Sequence, residues 1–404
     1  MLFKHTIMRW NNRYLPFLGL LIVYVIGAVR IDIMDIDAAQ YASMGREMAD
    51  NDQFLEVQFR GKDYYLDKPP LLFWLSAVIF KILGVSNFTY RFIPIVFTLW
   101  GLYALYRFCK LYYSERVAYI AALVMGSCQA FFLMNHDVRC DTLLTTCVII
   151  SFWQIAAYLK TRSWLHFVLG FFMVGLAMLA KGPISLVVIG AAFFVDFVLK
   201  RQWRTLFDWR WILGVLIVAL VVLPYGIGLH RQYGNEGLYF YFWEQSFGRI
   251  TGESDWDNSP GVFFQSHNFL WSFLPWVLAF IPALWMRIRT IVKGGFLIPA
   301  QEEAISVGGF LLPFIALSTA QYQLPHYTFV VFPLAAVLTG RFLDELIERQ
   351  HTGSFRWVRV GLIVTSSVMA FVIVVICTWA FPLQNVVLLL LTATITVLIV
   401  RLYN

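Results

Sequence analysis

Asp37, Lys68, Asp141, Lys181 and His326 stand at the edges of long apolar runs. A carboxylate at a bilayer boundary is partly desolvated, and there it can act as a base or steer a cation. Asp32, Asp35 and Asp37 alternate in IDIMDID, and Asp37 opens a helical pattern that it can also cap. Asp141, in HDVRCDTLLTT, begins an apolar run. It reads either as a helix N-cap or as a second carboxylate facing the first across a cavity. Arg139 can pair with it or hold a phosphate. Lys68, in YYLDKPP, is stiffened by the two prolines that follow. A cation held at the membrane surface suits a lipid phosphate, and Tyr64 and Tyr65 suit the interfacial aromatic belt. Lys181, at a Lys-Gly-Pro corner, and Arg249, in EQSFGRITG, are candidates for anionic substrate groups or structural ions. His326, in QLPHY, serves packing as readily as binding. Asp67 and Glu244, with His230 and His267, are weak metal candidates without a ligand spacing. A divalent metal stays open, and no other cofactor is implied.

These residues need elements to position them. The stretch Asp37–Pro70 is polar and charged within a chain of mostly bilayer-length apolar runs. Polar groups are costly in hydrocarbon, so it must lie in water or at the interface. Residues 39–50 form an amphipathic helical pattern, with Tyr41, Met44 and Met48 on one face. The 404 residues are 60% hydrophobic and 14% charged, whereas a soluble domain carries about 25% charged residues. The chain therefore reads as an all-α polytopic membrane protein. No GxxxxGK[ST] loop or GxGxxG turn supports nucleotide binding. The net charge of +7 falls mainly in short loops and reads as topology, so no nucleic-acid partner is expected. The five cysteines form no CxxC pair and read as packing residues. The basic N-terminus has no small-residue cleavage site and reads as an uncleaved start-transfer segment.

Apolar runs at 14–29, 91–108, 116–134, 142–160, 165–180, 183–199, 211–229, 268–287, 302–320, 324–341, 357–381 and 384–401 predict about twelve spans. The run 71–84 is short and contains Lys81. If it lies in the interface, the loops with Lys110 and Arg116, Lys160 and Arg162, Lys200 to Arg210, Arg287 to Lys293, and Arg341 to Arg359 all face the cytoplasm. The positive-inside rule then places both termini inside and every candidate site residue outside.

Five motifs occur in order: D-x-A-x-Y-x-x-x-x-R-E-M (Asp37–Met48), YYLDKPP (Tyr64–Pro70), R-x-D-x-L-L-T (Arg139–Thr145), A-K-G-P (Ala180–Pro183) and Q-L-P-H-Y (Gln323–Tyr327). From about residue 10 to 340 the chain resembles the GT-C glycosyltransferases of the protein O-mannosyltransferase superfamily. It is most similar to the lipid A 4-amino-4-deoxy-L-arabinose transferases. The resemblance implies a GT-C transmembrane bundle with interfacial helices in the first periplasmic loop. The chain reads as one domain over 1–404, with that loop at 30–90 and a long periplasmic loop at 230–267; the resembling transferases continue into a soluble C-terminal periplasmic domain, which is expected to be absent here. The resemblance implies an inverting enzyme of the bacterial inner membrane, its active site facing the periplasm. Such an enzyme moves a sugar from a polyprenyl-phosphate carrier to a lipid A-like lipid, glycan or protein acceptor. Asp37 would be the base or orienting acid, Asp141 the second acid, Lys68 the phosphate contact and Arg249 its assistant. Gln40, Asp67 and Glu244-Gln245-Ser246 stand where the resembling transferases usually carry Arg, Glu and Glu-His. A proton-coupled transporter or flippase of a lipid-linked sugar is the alternative reading.

Overall fold

The computed structural model describes residues 14–30, 32–33, 35–60, 63–248, 258, 260–348, 353–375 and 379. Apolar runs coil into helices because lipid offers backbone groups no partner. The first are α1 (Leu15–Arg30), α2 (Ile36–Asn51), α3 (Leu71–Leu83), α4 (Asn87–Tyr112), α5 (Glu115–Ser127) and α6 (Gln129–Asp137). Next come α7 (Cys140–Thr161), α8 (Trp164–Lys181), α9 (Ile184–Leu199), α10 (Trp203–Leu206) and α11 (Arg210–Tyr239). A π-helical segment, Phe240–Gly248, continues α11. Then follow α12 (Phe264–Ser272), α13 (Val277–Lys293), α14 (Ile305–Thr319), a 3-10 turn (Pro325–Val331), α15 (Phe332–Glu348) and α16 (Gly353–Val375). Among the described residues four helical runs are long and apolar enough to cross a membrane, or up to six if each bent pair is one span. The chain is thus a multi-pass integral membrane protein. The predicted span at 384–401 lies outside the described residues.

Helix α3 has 13 residues and rises about 20 Å, too little for a bilayer core of about 30 Å. It packs instead against α2, whose buried face carries Tyr41, Met44, Gly45 and Met48, as its period predicts. The two backbones approach closely, and a Cβ at Gly45 would stand 2.8 Å from the Ser76 Cβ. Gly45→Val should therefore force the pair apart and cost about 1–3 kcal/mol by overpacking. Thermal unfolding in detergent checks this, and an unchanged midpoint would show that α2 and α3 do not pack this way.

Three features depart from the sequence reading. First, the polar insert holds a two-stranded antiparallel ribbon, with Gln58 opposite Tyr64 and Phe59 opposite Asp63. It is moored by Glu47 Oε1, which accepts the Arg60 N–H at 3.0 Å. The Gln232 amide clamps Val57 through bonds of 3.3 and 3.2 Å. Second, the predicted span 116–134 is broken between α5 and α6, by 53°. Ser127 Oγ bonds the Leu123 carbonyl one turn back, a pattern that bends helices. Third, the predicted span 268–287 turns by 119° between α12 and α13, around Pro275, whose ring and missing N–H stop a helix. The two breaks are joined. Gln129 N donates to Leu274 O at 3.0 Å, and Trp276 Nε1 donates to Ser127 Oγ at 2.9 Å. This junction directs α6 and its polar C-terminal end towards α2.

Candidate active site

Cys140 starts α7, and Arg139 stands just before it in extended backbone. Asp137 ends α6, and Val138 lies between at φ 45°, fully buried. A β-branched residue in this left-handed region is strained, and such strain persists only where surroundings over-determine it. The reversal throws Asp137 and Arg139 together and turns both towards α2.

Arg139 pairs with three carboxylates. Its Nε meets Asp137 at 2.7 Å, its Nη1 meets Asp37 at 3.2 Å and its Nη2 meets Asp35 at 2.7 Å. The guanidinium is mostly buried, while Asp37 remains half exposed. Burial opposes the charge of Arg139, but the surrounding acids win and hold its pKa above the usual arginine value. Asp35 also caps α2, accepting the Ala38 N–H at 3.1 Å. Three of the Arg139 donors organise three acids. One cation and three anions leave this patch at a formal charge of −2.

Behind Arg139 lies a second pair. Lys181 Nζ, at the C-terminal end of α8, bonds Asp141 Oδ1 at the start of α7. Both side chains are buried. Lys181 also lies 4.4 Å from the centroid of the Tyr327 ring. Asp141 therefore does not face Asp37 across open space; its charge is taken by Lys181. Lys181 in turn is occupied by a carboxylate. His326 Nε2 stands 3.9 Å from Asp141 Oδ2, in the turn outside the spanning helices. Burial pushes its imidazole down to about 3, Lys181, Arg139 and Lys68 add to this, and Asp141 opposes them. The ring is thus neutral from pH 5 to 8. His326→Gln should leave the shape of any pH–activity profile in that range unchanged, and loss of a limb near neutrality would contradict this.

Lys68 lies close enough to act electrostatically on His326 and Cys140. Burial, with Cys140 and Asp37 adding, raises the phenols of Tyr41 and Tyr65 above their ordinary pKa. Both remain protonated donors. Asp37, Arg139, Asp141, Lys181, His326, Lys68 and Tyr65 thus come together from five separate stretches. Tyr64 falls in the ribbon, and its side chain and Arg249 lie outside the described residues. Among the described residues no three His, Cys, Asp or Glu side chains gather as a ligand set, around Asp67 and Glu244 or elsewhere.

A cavity of about 740 Å³ opens beside the acidic patch. Asp37, Asp137, Arg139 and His326 line its polar edge, and Phe132, Trp271 and Phe329 are among its apolar walls. Asp141 and Lys181 are not on its wall.

The same arrangement of helices occurs in solved structures. The crystal structure of ArnT from Cupriavidus metallidurans bound to undecaprenyl phosphate superposes with a TM-score of 0.79 at 18% identity, covering 98% of this chain and 70% of that one. The archaeal oligosaccharyltransferase AglB from Archaeoglobus fulgidus gives 0.58 at 13% identity, covering 85% and 51%. The family model for dolichyl-phosphate-mannose-protein mannosyltransferase matches residues 67–227. The chain shares the fold of these structures. An undecaprenyl phosphate-alpha-4-amino-4-deoxy-L-arabinose arabinosyl transferase from Shewanella sediminis is 24% identical over 330 residues. That alignment takes in 79% of this chain but 57% of the relative, so the chain spans little more than half of its length.

Within this framework several residues escaped the sequence reading. Asp137 sits two residues before Arg139, and that spacing was its only signal. Arg91 is buried inside α4, donating to His136 O at 2.8 Å and to Asp32 O at 2.9 Å. It ties α4 to α6 and to the Asp32–Asp37 turn. A second charged cluster lies at the other end of α7, roughly 30 Å along the helix from Asp141. There Asp196 pairs with Lys200 at 2.8 Å, and buried Glu303 accepts from Ser306 N and Oγ at 2.7 Å each. The polar groups therefore gather at two ends of the bundle, where one end was expected.

Proposed function

We propose that the chain is an inverting glycosyltransferase of the bacterial inner membrane. It moves a sugar from a polyprenyl-phosphate carrier to a lipid A-like lipid, glycan or protein acceptor on the periplasmic side. The observation that carries this reading is the meeting of Asp37 and Arg139 on the wall of one large cavity, with Lys68 in electrostatic reach. The fold shared with a structure bound to undecaprenyl phosphate supports the same reading. The basic loops at the opposite end of the helices support the sidedness.

In this reading Asp37 takes the proton of the acceptor hydroxyl as that oxygen attacks the anomeric carbon. The bond from the anomeric carbon to the phosphate oxygen breaks, and polyprenyl phosphate leaves with the electron pair. Lys68 faces charge that grows on the leaving oxygen, so its stabilisation is greatest in the transition state. Arg139 holds Asp37 in place. Asp141 and Lys181 set the floor beneath them. A transporter would place its ionisable groups near the bilayer midplane, in broken helices. The cluster here lies at helix ends instead. Mass spectrometry of lipid and glycan extracts from cells with and without the gene tests the proposal. A sugar-sized mass increment on one acceptor, lost without the gene, is expected; identical extracts would refute it.

A further inference from the structure

The π-helical segment Phe240–Gly248 reaches two parts of the site at once. Such i→i+5 turns are rare, and they concentrate at functional sites. Tyr241 is 1% exposed, and its hydroxyl donates to Met178 O at 3.0 Å. Met178 lies in the last turn of α8, three residues before Lys181. Gln245, nearly one turn further on, is 8% exposed, and its Nε2 donates to the Asp67 carbonyl. Asp67 directly precedes Lys68.

The second bond has a chemical reason. In a tight turn the carbonyl of residue 67 would draw on the N–H of residue 70. Residue 70 is a proline and has no N–H, and neither has Pro69. A partly buried carbonyl left without a donor is costly. The Gln245 amide supplies the hydrogen that the prolines cannot. We propose that the π-helical segment is the positioning element for both lysines. Gln245 sets the peptide that presents Lys68, and Tyr241 sets the α8 turn that presents Lys181 to Asp141. This rests on the reading of Lys68 as the contact for the carrier phosphate. It assigns positioning roles to two residues that touch no reacting atom.

The test is a double-mutant cycle on binding of undecaprenyl phosphate to the purified full chain, followed by tryptophan fluorescence. Lys68→Ala should weaken binding at least about tenfold, the loss of about 1.4 kcal/mol. Gln245→Leu should weaken it by a similar factor, with the melting temperature little changed. The double variant should bind no more weakly than Lys68→Ala alone, because Gln245 acts only through Lys68. Tyr241→Phe should leave this affinity within about twofold and lower the turnover of sugar transfer instead. Multiplying losses in the double variant would overturn the inference while leaving the functional reading intact. Wild-type affinity in Lys68→Ala would overturn the functional reading itself. Should Gln245→Leu fail to fold, Gln245→Glu keeps the shape without a donor, and wild-type affinity there would also overturn the inference.

Discussion

Asp37→Asn is expected to slow sugar transfer by about 10²–10⁴-fold, the usual contribution of a positioned general base. The melting temperature should hardly move. Asp37 is the most exposed of the three acids on Arg139, at 48%, and Arg139 keeps Asp35 and Asp137 when it is lost. No buried charge is stranded, so the fold has little to lose. The amide keeps the shape but cannot take a proton. Transfer from a polyprenyl-phosphate donor in proteoliposomes, beside a thermal melt, checks both halves. More than a tenth of the wild-type rate would show that Asp37 is not the base. A collapse in stability would show that its role is structural.

The second large effect is on stability. Asp141→Asn leaves the buried Lys181 ammonium without its counter-charge, and Lys181→Met leaves the buried Asp141 carboxylate without its own. Breaking a buried pair from one side costs about 3–5 kcal/mol, whereas replacing both partners is often near neutral. Each single variant should therefore melt well below wild type, and Asp141→Asn combined with Lys181→Met should recover most of the loss. Unfolding in mild detergent, read by tryptophan fluorescence, gives the comparison. If Asp141→Asn folds as well as wild type, the pair is not the buried strut described here. Full transfer activity in the rescued double variant would show that the pair is a scaffold, with no part in setting the chemistry.

Much of the architecture was legible because lipid simplifies the code. Apolar runs gave α1, α7, α8 and α9 nearly to the residue, since backbone groups in hydrocarbon leave few alternatives to a helix. Helix α2 was visible in its period, and α3 in its shortness. The breaks were harder to see. Pro275 signals one of them, but Ser127 and Cys128 carry no strong breaker; that bend depends on Trp276 and Leu274, far away in the chain. The motifs pointed to the right neighbourhood, since Asp37, Arg139, Asp141, Lys181 and His326 do gather. What spacing could not show is who pairs with whom. Lys181 is forty residues from Asp141, and Arg139 is over a hundred from Asp35 and Asp37. Residue type alone marks Lys181 and Arg139 as free cations for an anionic ligand, whereas three-dimensional packing spends both on carboxylates. Asp196 and Glu303 were missed because, beside their near neighbours Lys200 and Ser306, they accept from groups far along the chain, Ala304 N and the Tyr113 hydroxyl.

The most direct test follows the donor. Purified protein in lipid nanodiscs would receive undecaprenyl-phosphate-linked sugars with a lipid extract as acceptor, and release of free undecaprenyl phosphate would be followed by mass spectrometry. The account predicts release by wild type that depends on the acceptor, and almost none by Asp37→Asn at equal melting temperature. No release from any donor, or equal release by both proteins, would contradict it.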